Sequence, residues 1–382
     1  MRARQRGFLE AVRGALLSIL LVGLAIGFLS APLAALVLDR TPVPDELSWG
    51  VNLTGLAFGD AEMRSGGSHG KYGQHYIGLT GAELDYFEAE GMTVFRLPFR
   101  WERVQHSLYE ELDPEDMGYM DAVVDAAAER GLKVILDPHQ RFAVKGSGTG
   151  YYDLASDQIL TLGSPELPYS AFADFWLRLA SHYSDHPGVY GYGLINEPHG
   201  MDIGGLSGSE NWKQAAQAAI HAIRAVDGQT TIIVPGYHWS NAYEWDVYSD
   251  NLKDLYDPAG NMIYEAHIYL DKSGSGSYDE DCETVAPDRG PQRLDDFVNW
   301  LRANGKKGII GELGTPADQC WLGILEPTLD YISASDDVLV SFQWWRADRW
   351  WISDPLSMQP NVDSEGNYID RPQMDLLKQH IK

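Results

Sequence analysis

Glu197 sits in the run Leu-Ile-Asn-Glu-Pro-His (residues 194–199) and Glu312 in Ile-Ile-Gly-Glu-Leu-Gly (residues 309–314), each closing a short apolar stretch. A short apolar run that ends in a polar group reads as a buried strand with a functional side chain at its mouth. Two carboxyls facing one cleft are the minimum equipment for cleaving a glycosidic bond, one donating a proton and the other acting as nucleophile or base. Arg96, His139, Asn196, His267, Tyr269, Trp344 and Trp345 lie on or close behind other apolar runs. Each alone has a structural explanation. Gathered at one mouth they do not, because pointing polar groups into a common cleft costs desolvation that packing alone would avoid.

The chemistry distributes the roles. A nucleophilic carboxylate must stay ionised, which a guanidinium and a phenol donor favour, so Arg96 and Tyr269 are expected to support Glu312. The acid must keep its proton, and Glu312, as a like-charged neighbour, is expected to raise Glu197. Asn196 is placed to donate to a sugar hydroxyl, and Trp345 offers a flat face to a pyranose ring, although strand parity lets only one of Trp344 and Trp345 face the cleft. Trp239 is a further candidate sugar platform. Together with Trp245, Trp350 and Trp351 it would also suit a non-catalytic carbohydrate-binding surface protein, but a binder needs no second, like-charged glutamate. Asp137-x-His139 and His267 carry ligand-type atoms, yet no His-x-His or cysteine cluster completes a site, so neither metal nor cofactor is expected.

Positioning these groups requires strands whose C-terminal ends share a face. Candidate strands span 50–56, 93–99, 133–137, 189–195, 230–234, 262–267, 307–311 and 338–343, and helical patterns span 81–90, 114–130, 170–183, 210–226, 293–304 and 325–333. Continuous apolar strands alternating with helices imply a parallel sheet, and eight repeats over roughly 300 residues suit a closed (β/α)8 TIM barrel better than an open doubly wound sheet. No Gly-x-Gly-x-x-Gly opens a helix near the first strand, so no dinucleotide site is read. Ser/Gly-rich stretches at 66–70, 146–150 and 273–277 follow strands and are expected as loops on the face where barrels build their sites.

With 382 residues, 44% hydrophobic and 22% charged, the chain has an ordinary globular composition. The catalytic barrel is expected over 48–382, after a linker at 39–47. A formal net charge of −26 argues against nucleic acid or an anionic membrane surface as ligand, since both need a basic footprint. Arg2, Arg4, Arg6 and Arg13 precede a nearly unbroken apolar run at 15–38. At about 1.5 Å per residue this membrane-targeting helix covers a hydrocarbon core of about 30 Å. It is either an uncleaved anchor or, if cut at the small-residue stretch 31–35, a signal segment. The positive-inside rule then leaves the remainder extracytoplasmic, membrane-anchored in the first case and secreted in the second. Cys282 and Cys320, the only cysteines, either form one disulfide between the loops after two successive strands or remain buried thiols.

In order along the chain, Gly50-Val-Asn-Leu-Thr-Gly-Leu-Ala-Phe-Gly59, Phe95-Arg-Leu-Pro98, Asp137-Pro-His139, Leu194-Ile-Asn-Glu-Pro-His199, His267-Ile-Tyr-Leu-Asp271, Gly311-Glu-Leu-Gly314 and Trp345 resemble glycoside hydrolase family 5. Within that family they resemble the endo-β-1,4-glucanase (cellulase) branch. The resemblance implies a retaining mechanism on β-glucan, with Glu197 as acid/base and Glu312 as nucleophile. It also implies that Arg96, His139, Asn196, His267, Tyr269 and Trp345 surround the scissile sugar, and it supports a Cys282–Cys320 disulfide. Two segments depart from the branch: His139-Gln140-Arg141 replaces His-Asn-Tyr, and Arg346-Ala-Asp-Arg-Trp-Trp351 replaces a small glycine-rich stretch. Both flank the cleft and bear on the substrate, leaving β-1,3-glucan, mannan and an endogenous exopolysaccharide as alternatives to β-1,4-glucan.

Overall fold

Short apolar runs form eight strands: β1 (Ser48–Leu53), β2 (Val94–Phe99), β3 (Lys133–Pro138), β4 (Val189–Gly193), β5 (Thr231–Pro235), β6 (Met262–His267), β7 (Gly308–Leu313) and β8 (Leu339–Ala347). In this computed structural model every neighbouring pair is parallel, and β8 pairs with β1 to close the barrel. Residues 46–59, 67–140 and 148–381 are described, all within one compact unit, Thr41–Lys382. The apolar run at 15–38 and most of the 39–47 linker lie outside the described residues. Among those described, no helix is long and apolar enough to cross a membrane.

Helices return the chain after the strands: α1 (Gly81–Ala89), α2 (Pro114–Glu129), α3 (Tyr169–Tyr183), α4 (Gly208–Arg224), α5 (Arg289–Asn304), α6 (Gln319–Ser333) and α7 (Pro372–Leu377). Several of their starts are chemically marked. Asp113 accepts from the backbone N–H groups of Glu115 and Asp116 ahead of Pro114, and Asp318 caps α6 through Trp321 N. β5 is followed only by the short turn Trp245–Tyr248 and a 3-10 turn. Expected and observed elements coincide closely, except that α5 and α6 begin ahead of 293 and 325; the first turn of α5, Arg-Gly-Pro-Gln, is polar and carries no amphipathic signal. The loop after β3 also contains an unanticipated hairpin, Gly150–Asp153 with Gln158–Thr161.

Val94, Ile135, Ile233, Ile263, Ile309 and Val340 fill one layer of the barrel interior. Branched side chains from six strands thereby form a floor beneath the mouth. Cys282 and Cys320 form a disulfide with Cα atoms 6.2 Å apart, joining the loop after β6 to the first turn of α6.

Candidate active site

The site is built in layers because side chains alternate along a strand. On β6, Ile263 belongs to the apolar floor, Glu265 lies above it, and His267 stands at the mouth. β3 repeats the pattern with Ile135, Asp137 and then His139, and β2 does so with Val94 and Arg96.

Arg96, fully buried, ties the layers together. It donates through Nη1 to Asn52 Oδ1 at 2.8 Å and Glu312 Oε1 at 3.1 Å, and through Nη2 to Asn196 Oδ1 at 2.7 Å. Its guanidinium also pairs with Asp137 at 3.1 Å and Glu265 at 3.0 Å. Asn52 in turn donates to the carbonyls of Gly311 and Trp344. His139 Nδ1 lies 2.9 Å from Asp137 Oδ2. That acceptor leaves Nε2 as the lone-pair side, 3.5 Å from the Asn196 amide nitrogen. Burial, with Arg96 and Arg100 nearby, holds His139 well below its usual pKa, so it is neutral.

Simple alternation would turn Glu312 away from the cleft, because Ile309 lies in the floor and Ile310 in the outer core. A register shift intervenes: Ala266 opposes Ile310, but His267 opposes Glu312. This irregularity re-aims Glu312 into the mouth. The skipped residue must be glycine, since a Cβ on Gly311 would stand 2.0 Å from Glu265 Oε1. Glu197 is aimed differently. It lies just beyond β4 with φ of 47°, a left-handed conformation that non-glycine residues adopt at a cost. Its carbonyl is held by Gln140 Nε2 at 2.7 Å and His199 Nδ1 at 2.8 Å.

His267 bridges the two carboxyls. Its Nδ1 lies 2.9 Å from Glu197 Oε1 and 3.6 Å from Glu312 Oε2, while Nε2 lies 3.0 Å from Glu265 Oε1. Burial works against its charge, but Glu312, Glu197 and Glu265 outweigh burial and push its pKa up to about 10. Tyr269 donates to Glu312 Oε2 at 2.7 Å, and burial beside that carboxylate keeps the phenol protonated. Burial pushes Glu312 up to about 7, with Glu197 adding to the rise and His267 and Arg96 opposing it. On Glu197 burial is outweighed by the hydrogen bond and charge of His267, which hold it below the usual carboxylate range. The expectation that Glu197 would be the raised group is thus reversed, because His267 Nδ1 sits closer to Glu197 than to Glu312. The coupled carboxyls hold one proton between them up to about pH 7.

One oxygen of Glu197, one of Glu312 and a nitrogen of His267 lie within 4.8 Å of one another. Arg96 and the His267 imidazolium already supply positive charge there, so the arrangement is a carboxyl pair in a cationic frame. Trp345 stacks on His139 with ring centroids 5.4 Å apart, whereas Trp344 is buried outward and donates to Leu356 O. Trp239 is 46% exposed and stacks on His199, two residues after Glu197, at 4.6 Å. Asn52 and Glu265 belong to the site without having been singled out, and Asp137, weighed only as a metal ligand, serves as a partner of Arg96 and His139. For Glu265 the available signal was its position two residues before His267, on the same face, the spacing that Asp137 has to His139.

Residues 54–348 match cellulase, glycosyl hydrolase family 5. The chain is 33% identical over 336 residues to a probable endo-beta-1,4-glucanase B of Neosartorya fischeri, covering 87% of this chain and 91% of that protein. It superposes on the Pseudomonas stutzeri endoglucanase Cel5A with a TM-score of 0.75 and 35% identity, covering 88% of this chain and 94% of that one. XacCel5A, solved in complex with cellopentaose, superposes with a TM-score of 0.75 and 32% identity over 88% of this chain and 100% of that one. With two carboxyls at the mouth of a parallel eight-stranded barrel and a family match across most of its length, this chain belongs to glycosyl hydrolase family 5, the cellulases.

Proposed function

We propose that the protein is a retaining endo-β-1,4-glucanase in which Glu312 is the nucleophile and Glu197 the acid/base. The carrying observation is the spacing: carboxyl oxygens within 4.8 Å suit the roughly 5–5.5 Å carboxyl separation of retaining enzymes and leave no room for the water an inverting enzyme places between them. Glu312 attacks the anomeric carbon while Glu197 protonates the departing glycosidic oxygen, giving a glycosyl ester on Glu312. Glu197 then takes a proton from water, whose oxygen attacks the same carbon and releases Glu312. Substrate entry must move the shared proton from Glu312 to Glu197, and His267 Nδ1, within reach of both, is placed to assist. Asn196, with its oxygen committed to Arg96, presents N–H to a sugar hydroxyl, and Trp345 supports the ring in the scissile subsite.

A cleft of about 670 Å³ runs from His139 and Trp345 to Phe58, Arg346, Trp350 and Trp351, and its aromatic walls favour a chain of pyranose rings over a single sugar. The β-1,4 linkage rests on the similar endoglucanases. Residues 15–38 we read as the membrane-targeting segment, with the barrel outside the cytoplasm; the disulfide fits that compartment. Glu312→Ala is expected to abolish turnover, and Glu197→Ala to retain activity only toward substrates with good leaving groups. The first product from a soluble β-1,4-glucan should carry the β configuration. Normal hydrolysis by both variants, or an inverted first product, refutes the reading.

A further inference from the structure

Four carboxyls surround a single guanidinium in the barrel mouth: Asp137 on β3, Glu197 after β4, Glu265 on β6 and Glu312 on β7, all packed around Arg96 on β2. Burial pushes Asp137 and Glu312 up to about 7, but Glu197 and Glu265 are held below the usual carboxylate range and stay ionised; Arg96 alone does not balance them, so the cluster needs a second positive charge. His139 does not provide it, since the neighbouring Arg96 and Arg100 oppose its charging. Tyr269 supplies a neutral donor only. His267 remains. Both of its nitrogens face carboxylate oxygens, Nδ1 toward Glu197 and Nε2 toward Glu265, at 2.9 and 3.0 Å. Because an ionised carboxylate can only accept, each nitrogen must carry a hydrogen.

Glu265 is an expensive residue to bury in this place. It is 1% exposed, between the apolar floor and the mouth, and the neighbouring strand yields space to it by carrying Gly311. An apolar side chain would fill the slot without a desolvation cost. Asp137 already pairs with Arg96, so a counter-ion for Arg96 alone would not require Glu265.

On the reading of Glu197 and Glu312 given above, we propose that Glu265 is a positioning residue that keeps His267 doubly protonated. The imidazolium then directs one N–H at Glu197 and stands as a fixed cation beside Glu312. Glu265 touches no substrate; it acts through the imidazole, setting where the shared proton of the carboxyl pair resides.

The test is the titration of His267 followed by imidazole NMR in the full-length protein, together with the pH profile of kcat/KM. In the wild type the His267 ring is expected to stay doubly protonated from pH 5 to 8. Glu265→Gln, which keeps shape and removes charge, should lower that titration by about 1–3 pH units, since an opposite charge in contact is worth about 1–3 pKa units. The decline of kcat/KM above neutrality should then begin about one pH unit lower, because the whole cluster yields protons more readily. Glu265→Asp should retain the wild-type titration. Asp137→Asn, which removes a carboxylate bonded to Arg96 and His139 but not to His267, should shift it by less than Glu265→Gln does. A wild-type His267 that titrates between pH 5 and 8, or a Gln variant titrating as the wild type does, overturns the proposal. The wild-type measurement decides the matter even if the Gln variant does not fold. Failure of the parent reading is separate: Glu197→Ala and Glu312→Ala would remain active whatever His267 does.

Discussion

Arg96→Met isolates what the buried guanidinium does. The substitution keeps much of the side-chain volume but withdraws the cation from Asp137, Glu265 and Glu312, all within 3.1 Å of it, and leaves Asn52 and Asn196 without their shared donor. Removing one partner of a buried ion pair costs about 3–5 kcal/mol. For a compact unit of roughly 340 residues, an unfolding entropy of about 2.1 cal/mol/K per residue gives about 0.7 kcal/mol/K, so Tm should fall by about 4–7 °C. The sign of the pH dependence follows from the carboxyls left behind. Burial already raises Asp137 and Glu312 above their unfolded values, and without Arg96 they rise further, so the folded state binds more protons and stability is lost as pH rises from about 4 through those raised values. The deficit should therefore be largest near pH 8 and shrink toward pH 5. Calorimetry or circular dichroism at both pH values measures it. A Tm within about 1 °C of wild type at pH 8, or an equal gap at the two pH values, would refute the account of Arg96 as the neutralising centre.

Activity toward a soluble β-1,4-glucan should decline as pH rises through about 7, where Glu312 loses the proton shared with Glu197; a profile level to pH 9 would contradict the one-proton pair. Gly311→Ala should reduce kcat/KM by roughly a hundredfold or more, because its Cβ would displace Glu265, 2.0 Å away, and a small misplacement at the reacting centre can cost about that much. The adjacent tryptophans should separate cleanly. Trp345→Ala is expected to impair catalysis with little change in Tm. Trp344→Ala, which empties a fully buried site, should cost about 3–5 kcal/mol of stability.

The barrel was legible because each strand is a short apolar run and several helices are opened by a recognisable cap, so local signals agreed with the global fold. Glu197 and Glu312 were legible for a related reason: an ionisable residue at the end of an apolar run is costly to place there without use. The two hairpins outside the barrel were not, since Asn361–Val362 with Tyr368–Ile369 and the pair after β3 are short, and their pairing depends on what they pack against.

Taken alone, the amino-acid order determined the strand count, the closure into a barrel, the carboxyl pair and most of its supporters. Periodicity and residue chemistry are properties of the chain itself. The tertiary structure decided the electrostatics. Which carboxyl holds the shared proton depends on His267 lying 2.9 Å from one and 3.6 Å from the other, and the inward aim of Glu312 depends on an irregular register between β6 and β7. Glu265 enters the site only through that same packing. Distances between residues remote in sequence set those energies, and only the closed barrel brings them together.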